Sequence, residues 1–181
     1  MRRKVATILA LTILLSILIA NAPSSSAKPS GRASVQAVTF TNIKSNCKNP
    51  ARGPVEGEYV NLCVRLQRGT DSAGNTGIFR AYGAMDATGQ DASGVWVAMT
   101  SLAVWIFSSA TDPTPEVLTS SGLHQDYDYV NSYTPYRYTV YCDAWYEAVM
   151  KYYIIWHNNQ RTPSSGSDTW YSGRIEVRQC G

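Results

Sequence analysis

Val60, Leu62, Val64 and Leu66 alternate with Asn61, Cys63 and Arg65, and this period of two dictates an extended chain with one face buried. No other feature constrains the fold as tightly, because a helix would spread those four apolar residues around its axis. Strands are expected over Val35–Ile43, Gly57–Leu66, Ile78–Met85, Val95–Phe107, Tyr136–Asp143, Trp145–Trp156 and Trp170–Arg178. The connections over 68–77, 86–94 and 157–169 are dense in Gly, Asn, Asp and Ser, residues that suit hairpin turns between antiparallel neighbours. The stretch Ser108–Pro135 is longer, carries Pro113, Pro115 and Pro135, and has no sustained periodicity. Placed between a meander and a hairpin, it reads as a crossover between two sheets. The expectation is an all-β, antiparallel, two-sheet β-sandwich with Ig-like or Greek-key wiring and about seven strands.

One segment admits two readings. As a single strand, Tyr136–Trp156 would extend roughly 70 Å, so it must bend or change type near Asp143 and Ala144. Asp143 could cap a single short helix over 144–156, with Trp145, Ala148, Val149, Tyr152 and Trp156 on one face. The aromatic and β-branched run Tyr152–Trp156 favours a strand instead. Tyr136 and Tyr138 alternate onto the face of Val140 and Cys142 and are expected to be buried there.

The amino-terminal segment sets the compartment. Arg2, Arg3 and Lys4 precede an apolar run from Val5 to Ala20, and Ser25-Ser26-Ala27 follows with small residues. This is the pattern of a secretory signal peptide over residues 1–27, with an apolar run shorter than the roughly 20 residues of a spanning helix. A flexible tail over 28–34 and a single β domain over 35–181 complete the expected organisation, secreted and with no membrane attachment after cleavage. The signal removes three basic residues, leaving Lys plus Arg equal to the 13 Asp plus Glu. With no concentrated positive surface, nucleic-acid binding is not expected.

In an exported chain the four cysteines, Cys47, Cys63, Cys142 and Cys180, are expected to form two disulfides. Three connectivities exist. Cys47–Cys63 and Cys142–Cys180 are favoured because each ties neighbouring segments within its own half. No Cys or His spacing matches a zinc site, Asp86 and Asp91 match no calcium loop, and neither a metal nor another cofactor is expected.

Catalytic motifs are sparse. His124 and His157 are the only imidazoles. Thr70–Gly74 lacks the second glycine of a serine-protease nucleophile loop and reads as a polar hairpin loop; no G-x-S-x-G elbow occurs. His124, Asp126 and Asp128 would share one face of a strand, a spacing from which a metal site or a carboxylate-oriented base can start. Glu56 with Glu58, and Glu147 with Glu176, form no convincing glycosidase pair. No catalytic residue is therefore assigned.

Tyrosine is the strongest remaining signal. Nine of the 12 tyrosines fall between Tyr127 and Tyr153, and tyrosine combines contact area with a polar tip and few rotatable bonds. Tyr127, Tyr129, Tyr133 and Trp170, placed on or beside loops, are the candidate ligand contacts. The expectation is a non-enzymatic extracellular binding module for cell-wall polysaccharide, another cell-surface polymer or a secreted protein. Its formal neutrality implies binding that depends little on salt. The alternatives are a proteinase inhibitor presenting Ser108–Pro115, and a small hydrolase using His124 or His157. The sequence does not define an oligomeric state.

Overall fold

The computed structural model describes residues 37–47, 50–87, 94–139, 141 and 143–178. Among them are thirteen β-strands and no helix. They are β1 (Val38–Asn46), β2 (Pro50–Arg52), β3 (Tyr59–Asp71), β4 (Ile78–Asp86), β5 (Trp96–Phe107), β6 (Glu116–Ser121) and β7 (His124–Tyr127). There follow β8 (Tyr129–Tyr133), β9 (Arg137–Tyr138), β10 (Ala144–Ile155), β11 (Arg161–Thr162), β12 (Asp168–Tyr171) and β13 (Ile175–Val177). All pairings are antiparallel. A six-stranded sheet has the order β1-β3-β4-β8, with β2 on β3 and β9 on β4. A seven-stranded sheet has the order β11-β10-β5-β6, with β12 and β13 also on β10 and β7 on β5. The two sheets pack face to face as a β-sandwich.

The alternation in β3 does what its period requires: Val60, Leu62, Val64 and Leu66 are fully buried while Arg65 faces outward. They meet Val97, Met99, Leu102 and Val104 of β5 and Tyr146, Met150 and Ile154 of β10 in one core. Phe79 and Tyr146, from opposite sheets, stack with centroids 4.2 Å apart and planes 12° from parallel. At Gly83 the two sheets approach closely. A Cβ there would stand 2.7 Å from the Met99 sulfur and 3.1 Å from the Met150 sulfur.

The segment 144–156 is a strand through Ile155, not a helix, and pairs β5 from Trp145↔Phe107 to Ile155↔Trp96. Its helical reading arose because β10 is covered on both faces: Tyr146 to Met150 are all buried, which mutes the period of two. The expected Trp170–Arg178 strand is divided into β12 and β13. Ser172 replaces a strand partner there, its N–H donating to Ala148 O and its Oγ accepting from Ala148 N–H, each at 2.9 Å.

Ser108–Pro135 does cross between the sheets, but it carries three strands that its polar composition concealed. β6 and β7 stay with β5, and β8 joins β4. The crossing occurs at Asp128, whose φ of 62° breaks the alternation; Asp tolerates this left-handed conformation better than most residues. Backbone bonds pin it, from Asp128 N–H to Val95 O at 2.9 Å and from Ala87 N–H to Asp128 O at 2.6 Å. Tyr136 and Tyr138 are exposed, not buried, because only β9 of their expected strand pairs with β4.

Cys47 and Cys63 form a disulfide, next to the paired residues Asn46 and Val64. Closing a loop of this size restricts the unfolded chain by about 3 kcal/mol on the chain-entropy view. Cys142, Cys180, Val140 and Asp91 lie outside the described residues, as do residues 1–36. No helix among the described residues is long and apolar enough to cross a membrane.

Candidate functional site

The outward positions of the six-stranded sheet carry aromatic and arginine side chains in register. Pairing of β3 with β4 sets Gln67 opposite Arg80 and Arg65 opposite Tyr82, and pairing of β4 with β8 sets Tyr82 opposite Tyr133. The Arg80 guanidinium lies between two rings, 3.7 Å from the Phe40 centroid and 4.2 Å from that of Tyr133. Its Nε donates to Gln67 Oε1 at 2.7 Å, and Gln67 Nε2 donates to Asn42 Oδ1 at 2.8 Å. Burial holds the Arg80 pKa below the ordinary guanidinium value, an effect that Tyr133 partly opposes. Arg65 stands 5.2 Å from the Tyr82 centroid, and Tyr82 packs at 4.9 Å on Tyr133.

The aromatic surface continues past this centre. Tyr136 lies 5.8 Å from Phe40 and 6.2 Å from Tyr138, and the Tyr138 hydroxyl donates to Asp71 Oδ2 at 3.4 Å. At the other end Asn131 Nδ2 donates to the Tyr129 hydroxyl at 2.6 Å. Tyr129, Tyr133 and Tyr138 are 43%, 46% and 52% exposed, so the rings form an open platform instead of filling the core. The ion pairs among the described residues involve neither Arg65 nor Arg80.

The four candidate contacts do not lie together. Tyr129 and Tyr133 belong to this face. Tyr127 stands on the seven-stranded sheet, its ring edge-on to Trp96 at 4.7 Å, because the Asp128 crossover separates it from Tyr129. Trp170 is in the short strand β12, beside the loop at Ser172; it packs partly against the core and donates its indole N–H to Asn46 O at 3.1 Å. Missing from the sequence reading were Phe40, Arg65, Arg80 and Tyr82. Arg80 and Tyr82 are the polar-edged half of an alternation with Phe79 and Ala81, and that pattern was the available signal.

Burial of Tyr82, followed by its hydrogen bond with Tyr129, pushes its pKa up to about 12. Burial, followed by the Asp168 charge, does the same to Tyr152. Both hydroxyls keep their protons longer in the folded chain than their ordinary value of 10.0 allows. As pH rises past that value the unfolded chain releases these protons first, so stability present at lower pH falls on the way to about 12. Titration by phenolate absorbance should show Tyr82 and Tyr152 ionising above the ordinary value, together with loss of the β circular-dichroism signal.

The histidines have separate settings. His124 Nε2 lies 2.9 Å from Ser132 Oγ, joining β7 to β8 at the sandwich edge. It borders a shallow groove of about 560 Å³ lined by Leu123, Gln125, Asp126, Tyr129, Val130 and Asn131. Asp126 turns to its neighbour Tyr127 N–H, and Asp128 accepts from Gly94 N–H, so the alternating trio does not converge. Among the described residues no three His, Cys, Asp or Glu side chains gather to hold a metal. A hydroxyl and an imidazole are thus paired, with no carboxylate bonded to that imidazole among the described residues. His157 Nδ1 contacts Glu58 Oε1 at 2.7 Å.

The loop Ser108–Pro115 is braced internally. Asp112 accepts from Ser108 Oγ at 2.6 Å and from Thr114 N–H and Oγ1 at 2.9 and 2.8 Å. These bonds, led by that from Ser108, hold the carboxyl well below the usual carboxylate range. The bracing rigidifies a turn, as Asp commonly does.

The site and fold define a disulfide-braced β-sandwich with an aromatic, arginine-bearing sheet face. No protein-family model matches the chain, and no curated protein or solved structure matches it significantly.

Proposed function

We propose that this protein is a secreted, non-enzymatic binding module that holds a cell-surface polymer on the outer face of its six-stranded sheet. The observation that carries this reading is the Phe40–Arg80–Tyr133 stack on an exposed surface. Rings held by a guanidinium are ordered before any ligand arrives, so little rotamer entropy is lost on binding. A platform of this kind suits the flat faces of sugar rings, with Asn42 and Asn131 supplying amides for hydroxyl groups. The Cys47–Cys63 disulfide fits an oxidising compartment.

The test compares two tyrosines on opposite sheets. Sedimentation of the protein with insoluble cell-wall material should weaken about tenfold or more in Tyr133→Ser, the usual scale for an aromatic anchor. Tyr127→Ser, on the other sheet, should leave it within about twofold. Equal effects of the two, or none from Tyr133→Ser, would remove this face as the site.

A further inference from the structure

We infer that the face takes an acidic polysaccharide, with the Arg65 and Arg80 guanidiniums on its uronate carboxylates and the tyrosines beneath its sugar rings. This rests on the binding-face reading above and adds the chemistry of the ligand. Arg80 uses Nε on Gln67 and both faces of its plane on rings. Among the described residues its terminal amino edge has no acceptor, and that edge is the part of a guanidinium that grips a carboxylate with two parallel bonds. Arg65 stands over the Tyr82 ring.

The two side chains are diagonal neighbours across β3 and β4, since Arg65 pairs with Tyr82 and Gln67 with Arg80. Such positions lie roughly 7–8 Å apart. Two arginines at neighbouring positions of one face, each without a carboxylate partner among the described residues, are complementary to an anion-bearing ligand. Asp86 and Asp71, the acids at the ends of β4 and β3, stand at the ends of the face. Asp86 is opposite Tyr129, and Asp71 is occupied by Ala73 N–H, Asn75 and Tyr138.

The surroundings favour a glycan over an acidic protein. A protein partner would need an aliphatic centre to bury, as stable protein interfaces have. Among the described residues the exposed large aliphatic side chains are Val55, Val117 and Leu123, and none belongs to β1, β3, β4, β8 or β9. Around the guanidiniums there are rings and amides instead. The charge is local even though the chain is formally balanced, so binding should weaken with salt, against the expectation from net charge alone.

The experiment measures binding of the full protein to three probes at low and raised salt: polygalacturonate, its carboxyl-reduced counterpart, and polyaspartate. Wild type should bind polygalacturonate about tenfold or more above the carboxyl-reduced polymer, and Arg80→Gln and Arg65→Gln should each lose about tenfold towards polygalacturonate alone. Arg65→Gln disturbs fewer contacts and keeps the test sound if Arg80→Gln folds poorly. Equal binding of the two polymers, still sensitive to Tyr133→Ser, would overturn the acidic ligand and leave the face standing. Binding insensitive to Tyr133→Ser would remove the face itself. Polyaspartate bound as tightly as polygalacturonate with the same arginine dependence, or no binding to any probe, would overturn the glycan.

Discussion

Phe79→Ala is expected to destabilise the protein by about 3–5 kcal/mol, the range for deleting a fully buried phenylalanine ring. Phe79 has no exposed surface and stacks on Tyr146 across the sandwich. The cost falls towards the upper end because the cavity cannot collapse. Tyr146, the ring best placed to fill it, is tethered by its hydroxyl to Tyr141 O at 2.5 Å. Its strand is fixed by pairing with β5 on one side and β13 on the other. Against a typical total stability of about 5–15 kcal/mol this is a large fraction. Denaturant unfolding should show a lower midpoint with an unchanged slope, and thermal melting a fall of about 6–20 °C. Tyr146→Phe, which removes the hydroxyl and keeps the ring, should cost about 1 kcal/mol. A Phe79→Ala loss below that of Tyr146→Phe would mean that the inter-sheet stack does not hold the sandwich together.

The fold was legible where one face of a strand is buried and the other is not. β3 and β4 alternate apolar with polar residues, and the turn-rich segments between strands separate them cleanly. The reading weakened at β10, buried on both faces through Tyr146–Met150, where period and helix face become hard to tell apart. It missed β6, β7 and β8. These are short edge strands of mostly exposed residues, Glu116–Ser121, His124–Tyr127 and Tyr129–Tyr133, held by backbone pairing to better-patterned neighbours. Nothing in their own composition records that pairing.

The candidate site was half legible for a related reason. Tyrosine density pointed to Tyr129 and Tyr133, but the same density included Tyr127, which one residue in a left-handed conformation sends to the other sheet. Phe40, Arg65 and Arg80 lie far apart in the chain. They meet only because β1 pairs β3 with Phe40 opposite Gly69, and β3 pairs β4 with Gln67 opposite Arg80. Gly69 leaves the space: a Cβ there would stand 2.9 Å from the Phe40 ring. Register of this kind is a tertiary property, and a one-residue slip in either pairing would turn the set to opposite faces.

His157→Ala is expected to cost about 3 kcal/mol, although His157 itself is partly exposed, because the loss falls on its partner. The Glu58 side chain is only 4% exposed and that of His157 is 40% exposed. Glu58 Oε1 contacts the imidazole at 2.7 Å, while its Oε2 is buried with no hydrogen-bond partner among the described residues. The second oxygen is packed against Gly53, where a Cβ would stand 2.6 Å from it and 2.9 Å from the Trp156 ring. Removing the imidazole therefore leaves a buried carboxylate with both oxygens unpaired. Breaking a buried pair costs about 3–5 kcal/mol, and the lower end applies because water can enter where the half-exposed ring stood. The imidazole is well positioned to matter, since the turn after β10 is fixed by Trp156 N–H on Gln160 O at 2.9 Å and Asn159 N–H on Trp156 O at 2.8 Å. Glu58→Gln should cost less, about 1 kcal/mol, because a neutral amide oxygen can still accept from Nδ1–H without a buried charge. The double variant separates the two effects. With no carboxylate to strand, adding His157→Ala to Glu58→Gln should cost at least about 1 kcal/mol less than His157→Ala alone, an interaction energy within the range for residues in contact. Denaturant midpoints of the four proteins measure this, and strictly additive losses would show that the Glu58–His157 contact carries no coupling in solution.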